Sequence, residues 1–158
     1  MAIPDPTLID DIRAASRQMV RELGFMEATL AATDYPPSAV HSLLEIGARG
    51  PMSSGQLAEF LKLEKSSISR MVRKLVDCGE LNETSDAGDA RIKPLSLTPK
   101  GRRTLAAIND FARRQVIGAL ERMTESERRI VREGMMLYAR ALRADRLESD
   151  SEPSSVAG

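Results

Sequence analysis

The chain has 158 residues, of which 42% are hydrophobic, enough to build the core of one compact domain. Its 23 basic and 23 acidic residues balance to zero net charge, so any attraction to nucleic acid must come from a local basic surface. Cys78 is the only cysteine and His41 the only histidine. This excludes an intrachain disulfide and offers little for a metal site or nucleophilic catalysis, so we expect no cofactor, no metal and no enzymatic activity.

The composition also bears on location and on the type of nucleic acid. No apolar run approaches the roughly 20 residues of a membrane span, and the N-terminus lacks the pattern of a secretion leader. We therefore expect a cytoplasmic protein with no membrane partner. Aromatic residues make up 3% and tryptophan is absent, which argues against stacking on single strands and favours duplex DNA as the nucleic acid.

The first half of the chain reads as four helices. Apolar residues at helical spacing predict a first helix from Pro6 to Ala32, and the pair Pro36-Pro37 opens a second that runs toward Gly47. Ser53 and Gln56 have the spacing of a capping box at the start of a short third helix. A fourth helix is predicted from Lys65 to Cys78 by a single apolar stripe, which comprises Ile68, Met71, Val72, Leu75 and Val76.

The second half reads as a hairpin followed by two long helices. A polar tip between Leu81 and Leu97 predicts a small β-hairpin, in which Pro94 indicates an edge or irregular strand. Thr98-Pro99 then opens a fifth helix that ends near Arg122. Thr124 and Glu127 form another capping-box pattern for the sixth. The polar residues from Glu148 onward predict a disordered tail.

The predicted fold class is mainly α with a small β-hairpin wing, a winged helix-turn-helix flanked by long terminal helices. We assign residues 36–98 to the DNA-binding domain, 6–33 and 99–146 to dimerisation helices, and 148–158 to the tail. The outer helices carry more apolar surface than the middle of the chain can cover, so they are expected to pack against a second copy.

The outward face of the fourth predicted helix carries the functional prediction. At about 100 degrees per residue, Ser66, Ser69, Arg70 and Arg73 share the face opposite the apolar stripe. Small hydroxyl side chains allow a helix to approach the major groove closely, and arginine can pair with guanine or bind phosphate. A solvated helix face would have a similar composition, so this pattern alone leaves both interpretations open.

The charge of the neighbouring segment favours DNA. Between Lys62 and Arg103 ten basic residues stand against six acidic ones, a local net charge of +4 in a neutral chain. Such a charge supplies the salt-dependent attraction to phosphate that duplex binding requires. In the hairpin, Asp89 and Arg91 stand two residues apart, so the carboxylate can orient the guanidinium toward a minor groove. The alternative for this pair is an ordinary hairpin salt bridge.

Three motifs together resemble the multiple-antibiotic-resistance regulator (MarR) family. They are Ser54-Gly55-Gln56-Leu57-Ala58, then Lys65-Ser66-Ser67-Ile68-Ser69-Arg70, then Asp89-Ala90-Arg91 followed by Leu97-Thr98-Pro99-Lys100-Gly101. The resemblance implies a homodimeric regulator, usually a repressor, that reads a palindromic operator with two recognition helices. The candidate DNA-binding residues are Ser54, Lys65, Ser66, Ser67, Ser69, Arg70, Arg73, Lys74, Asp89, Arg91 and Lys93.

The sequence departs from the family pattern in the turn before the recognition helix. Lys62 and Glu64 stand where a glycine and then a Ser or Asp cap are usual. Glu64 suits a helix N-terminus electrostatically but repels phosphate, which leaves the docking of this turn open.

The resemblance also implies a pocket for a small aromatic or phenolic effector, lined by the first, second and fifth helices. The candidate pocket residues are Arg17, Phe25, Met26, His41, Leu44 and Phe111, and each can equally be an ordinary core or surface residue. A winged-helix module that binds protein and not DNA is the alternative function.

Overall fold

The computed structural model describes residues 3–84 and 93–151, which divide into two compact units, Met1–Ala112 and Arg113–Gly158. Within these described residues, six helices and two strands follow one another along the chain. They are α1 (Pro6–Glu22), α2 (Pro37–Arg49), α3 (Ser54–Leu61), α4 (Lys65–Asp77), β1 (Leu81–Glu83), β2 (Leu95–Leu97), α5 (Pro99–Leu120) and α6 (Glu125–Ser151). The predicted fold class, a mainly helical chain with a small β-hairpin, is confirmed.

The core of the first unit lies between α2, α3, α4 and the two strands. Leu43, Leu57, Leu75 and Leu95 contribute one side chain from each of α2, α3, α4 and β2, and none of the four is accessible to solvent. Helices α3 and α4 contact each other and both contact α2, which forms the three-helix part of a winged helix-turn-helix. The core therefore fixes the orientation of α4, whose outward face the sequence singles out.

The two strands pair antiparallel, with Leu81 opposite Leu97 and Glu83 opposite Leu95. On its other side β2 bonds to the residue before α3: Leu95 donates to the carbonyl of Met52 at 2.8 Å, and Met52 donates back at 3.2 Å. Pro94 precedes β2, and its carbonyl accepts a bond of 3.0 Å from the amide of Thr84. Pro94 thus stands just outside a three-residue strand of a two-stranded sheet, and the only further pairing of β2 among the described residues is the bridge between Leu95 and Met52, which agrees with the expected edge or irregular strand.

Helix α1 is shorter than the predicted helix from Pro6 to Ala32, which is wrong beyond Glu22. The chain turns at Gly24, whose φ of +81° is a left-handed conformation, and the amide of Phe25 donates to the carbonyl of Val20 at 3.1 Å. These features close the helix as a Schellman motif. The apolar pattern continues beyond the end of α1 because Leu30, which is 9% exposed, packs into the core from a non-helical segment.

Helix α6 begins as predicted and ends later. The amide and hydroxyl of Thr124 donate to the Glu127 carboxylate at 2.7 and 2.9 Å, which confirms the capping box and lowers the pKa of Glu127. The tail predicted to be disordered from Glu148 is instead helical through Ser151. No proline stands between Glu125 and Ser151, so α6 continues through this stretch. Residues 152–158 lie outside the described residues.

In the described part of the chain, no helix is both long and apolar enough to cross a membrane.

Candidate nucleic-acid interface

Helix α4 is anchored by one face and exposed on the other. Ile68, Val72 and Leu75 are each at most 3% exposed, as the predicted stripe requires. The four residues predicted for the outward face are all exposed, and so are the remaining candidates on this helix, Lys65, Ser67 and Lys74. The structure thus brings together, on one rigid helix, every candidate DNA-binding residue that α4 carries.

Helix α3 begins with the predicted capping box and contributes one candidate residue, Ser54, to the site. The hydroxyl of Ser53 accepts a bond of 3.1 Å from the amide of Gln56, and the amide of Ser53 donates to the Gln56 side chain at 2.9 Å. Ser54, the candidate on α3, is the first residue of this helix and is half-buried. The free amides of a helix start near Ser54 suit contact with an anion such as phosphate.

The turn between α3 and α4 has the geometry of a glycine turn, but a lysine occupies it. Lys62 lies at φ 56°, ψ 43°, in the left-handed region. The amide of Leu63 donates to the carbonyl of Ala58 at 3.1 Å, which completes a Schellman motif around Lys62. Glu64 follows as the N-cap of α4 and makes no side-chain capping bond. The departure seen in the sequence is therefore a strained version of the usual turn and not a different one.

Replacing Lys62 by glycine should raise the free energy of unfolding by about 1 kcal/mol, because glycine adopts the left-handed conformation without a Cβ clash. Urea denaturation with an unchanged slope would measure this gain. Lys62→Ala is the matched control, since it removes the same charge and keeps the Cβ. A glycine variant no more stable than the alanine variant would contradict the assignment of strain.

The wing is described only at its base. Asp89 and Arg91, the two candidates at the predicted tip, lie outside the described residues. Lys93, the remaining candidate, is exposed just before β2. The ion pair expected between Asp89 and Arg91 stays a prediction.

At the base of the wing lies a buried polar cluster that the sequence did not predict. The Glu80 side chain is 2% exposed, and its Oε1 accepts a hydrogen bond of 2.9 Å from the Tyr35 hydroxyl and lies 3.8 Å from the Lys100 Nζ. Burial and this bond to Glu80 raise the pKa of the Tyr35 phenol. The partners stand 45 and 20 positions from Glu80, so no local pattern in the sequence reports them.

The start of α5 is hydrogen-bonded to the same part of the chain, the segment from Cys78 to Glu80. The amide of Thr98 donates to the Glu80 carbonyl at 3.1 Å, and the Thr98 hydroxyl accepts from the amide of Gly101 at 2.9 Å. Lys100 donates to the carbonyl of Cys78 at 2.6 Å. The end of α4, the first strand of the wing and the first turn of α5 therefore share one set of hydrogen bonds.

The candidate effector residues are only partly brought together. The rings of Phe25 and His41 lie 5.4 Å apart at 42°, while Leu44 packs against the core. Met26 is 75% exposed and Arg17 is also exposed on α1. Phe111 is half-buried on α5. The contact between Phe25 and His41 is thus the part of the predicted pocket that the geometry brings together.

Nothing in the described residues forms a metal-binding group, since no three His, Cys, Asp or Glu side chains lie together in residues 3–84 and 93–151.

Comparison with known proteins agrees with the fold. The model of the MarR family matches residues 33–92, the segment from the start of the winged helix to the wing. The proposed transcriptional regulatory protein for the hcr operon of Thauera aromatica is 28% identical over 116 residues, which cover 73% of this chain. The match spans 66% of that relative, just under two thirds of its length.

Solved structures extend the similarity over most of the chain. A protein of Pseudomonas aeruginosa described as a transcriptional regulator is 27% identical, with a TM-score of 0.65 over 85% of this chain and 98% of its own. FabT of Streptococcus pneumoniae, crystallised with DNA, has a TM-score of 0.73 over 89% of this chain and 99% of its own. At 20% identity the similarity to FabT supports the fold alone.

The motifs, the winged helix-turn-helix and the comparisons agree on one class of protein, which is a class of regulators and not of enzymes. The chain is similar to transcriptional regulators of the MarR family through residues 33–92 and shares the fold of the solved regulators.

Proposed function

We propose that the chain is a homodimeric regulator, acting in the cytoplasm as a repressor, that binds a palindromic operator in duplex DNA. The observation that carries the proposal is the outward face of α4, where Ser66, Ser69, Arg70 and Arg73 are all exposed while the opposite face is fixed in the core. Such a helix can enter a major groove with its N-terminal serines closest to the bases and its arginines beside base edges or phosphates.

The wing completes the proposed interface. Asp89 orients Arg91 toward the minor groove beside the recognition site, and Lys93 adds a charge at the base of the hairpin. Of the six acidic residues between Lys62 and Arg103, Glu80 is buried, so its carboxylate does not face the phosphates. Because Glu80 pairs with Lys100, this burial removes one charge of each sign and leaves the local net charge at +4.

Exposed apolar surface supports the homodimer. Helix α6 has 27 residues and buries none of them within the protomer. Its exposed large apolar side chains are Ile130, Met135, Met136, Leu137, Tyr138, Leu142 and Leu147. Helix α1 likewise buries none of its residues and exposes Leu8, Ile9, Ile12, Met19 and Val20. Surfaces of this kind mark an interface, and two recognition helices about one DNA turn apart would then read the two halves of a palindrome.

A small aromatic or phenolic effector is proposed to bind beside Phe25 and His41. The paired rings offer an apolar wall and a hydrogen-bonding nitrogen, the two features that a phenolic ligand needs. Binding there would release the operator by favouring a dimer with the wrong spacing of recognition helices.

The proposal is tested by titrating the protein against duplex DNA from the region upstream of its own gene, at salt concentrations from about 50 to 200 mM. A regulator that neutralises several phosphates should lose affinity steeply over this range. Absence of salt-dependent binding would overturn the proposal and leave the protein-interaction module as the function.

Arg70→Ala should lower affinity for that DNA about ten- to a hundredfold, the loss expected when a bidentate base contact is removed. Dimerisation and thermal stability should not change, because the side chain is exposed. Arg21→Ala is the matched control, since it removes the same charge from an exposed position on the face of α1 opposite its apolar residues. Equal affinities of the Arg70 variant and the original protein at matched salt would contradict the assignment of this face.

A further inference from the structure

The buried carboxyl of Glu80 stands where an apolar side chain is usual. The amide of Glu80 donates to the carbonyl of Leu75 at 2.9 Å, and that of Gly79 donates to Val76 at 2.9 Å, the two bonds of a Schellman motif at the end of α4. The residue in the position of Glu80 normally makes a hydrophobic contact that accompanies this motif. Here it is a carboxyl group whose Oε2 is buried and has no hydrogen-bond partner among the described residues.

This arrangement does not favour stability. Removing a carboxylate from water is costly, and one hydrogen bond at 2.9 Å with one amine at 3.8 Å compensates only part of that cost. An apolar residue of similar size at such a position is commonly neutral or stabilising. What Glu80 does provide is a set of contacts between separate parts of the molecule.

One side of the connection is the segment between α1 and α2. Tyr35 is fixed to this segment, because its carbonyl accepts from the amide of Leu30 at 2.9 Å and its amide donates to the Thr33 hydroxyl at 3.1 Å. Ala31 and Ala32 both have positive φ, 56° and 55°, which costs conformational energy in a residue other than glycine. Strain of this kind persists only where the surrounding contacts hold it, and the bond from Tyr35 to Glu80 is one of those contacts.

The other side is the DNA-binding apparatus. Glu80 lies three residues after the end of α4 and directly before β1, and its backbone carbonyl accepts from the amide of Thr98 at the start of α5. Lys100, which approaches its carboxylate, also holds the carbonyl of Cys78 at the end of α4. One chain of contacts thus runs from Tyr35 through Glu80 to the end of α4, the start of α5 and the base of the wing.

We propose that Glu80 is a positioning residue that couples the segment from Leu23 to Pro36 to the recognition helix and wing, through the Tyr35 hydroxyl on one side and Lys100 on the other. The contacts themselves do not depend on the proposed function, but their role in regulation rests on the proposed DNA binding. It provides a route by which a change beside Phe25, which lies on the same segment, alters the presentation of α4 and the wing.

The coupling is tested first without DNA, by hydrogen–deuterium exchange on the full chain. Tyr35→Phe removes one hydroxyl and should speed exchange in the peptide over residues 79–84 as well as in its own segment. Glu80→Leu should reciprocally speed exchange over residues 23–36, because coupling between two sites is mutual. Glu80→Gln retains an acceptor for the Tyr35 hydroxyl and should restore most of the protection. Ser149→Ala, which removes an exposed hydroxyl near the end of α6, is the matched control.

The second readout is affinity for the upstream DNA. Glu80→Leu should keep the thermal stability of the original protein yet bind DNA about tenfold more weakly. Tyr35→Phe should also weaken binding, and the double variant should bind no more weakly than the weaker single variant. Exchange effects confined to the mutated segment, or additive losses of affinity, would overturn the proposal. If the original protein binds no duplex DNA, the proposed function fails, while the exchange experiment still decides the coupling. If Glu80→Leu does not fold, the exchange and affinity results for Tyr35→Phe decide the coupling.

Discussion

Gly101→Ala should destabilise the protein by roughly 3 kcal/mol and lower its Tm by about 10 °C, because the first turn of α5 has no room for a methyl group. A Cβ at this position would overlap the backbone carbonyl oxygen of Glu80 and press on the side chain of Leu97. The overlapping atom belongs to the backbone, so no side-chain rotation relieves it. The amide of Gly101 is in addition held by the Thr98 hydroxyl at 2.9 Å, which prevents the turn from sliding away.

The matched control is Gly118→Ala in the same helix, where nothing lies within 4 Å of the added carbon. There alanine should be neutral or stabilising by about 0.5–1 kcal/mol, since it costs less backbone entropy in a helix than glycine. Thermal denaturation of both variants, read by circular dichroism, measures the difference. A Gly101 variant as stable as the Gly118 variant would show that α5 does not press against the chain at Glu80.

The elements with short-range signals could be predicted from the sequence. The pairs Ser53 with Gln56 and Thr124 with Glu127 form reciprocal bonds across three residues, so their spacing alone indicates where α3 and α6 begin. The stripe of α4 likewise repeats within one helix, and its most regular members, Ile68, Val72 and Leu75, are the residues that the core buries. The exposed face of α4 follows from this stripe by geometry.

The elements decided by distant contacts could not be predicted in this way. Leu30 continues the apolar period of α1, yet it is buried against the winged domain from a segment that has left the helix at Gly24. Periodicity records that a residue is buried but not which element buries it, so the predicted helix ran ten residues too far. Glu80 is the stronger case, because its role depends on Tyr35 and Lys100, which only the tertiary fold brings to it.

Leu137→Glu should dissociate the proposed dimer and reduce DNA affinity at least about a hundredfold. Leu137 is 56% exposed in the protomer, and α6 buries no residue there, so a charge at this position disturbs nothing within one chain. In a dimer that packs α6 against a second copy, the same charge would be buried without a partner, which costs several kcal/mol. Light scattering after gel filtration, at matched protein concentrations, measures the loss of the dimer.

The control Ser149→Glu adds the same charge near the end of α6, at an exposed polar position, and should leave both dimer and binding intact. Loss of DNA affinity is expected for Leu137→Glu because two half-site contacts no longer reinforce each other within one molecule. Arg70→Ala should separate these effects, since it weakens binding while the protein stays dimeric. If Leu137→Glu remains a dimer and keeps its affinity, the exposed apolar residues of α6 do not form the interface. If it becomes monomeric yet binds DNA as tightly as before, the palindromic mode of binding is wrong, although the recognition face on α4 is not.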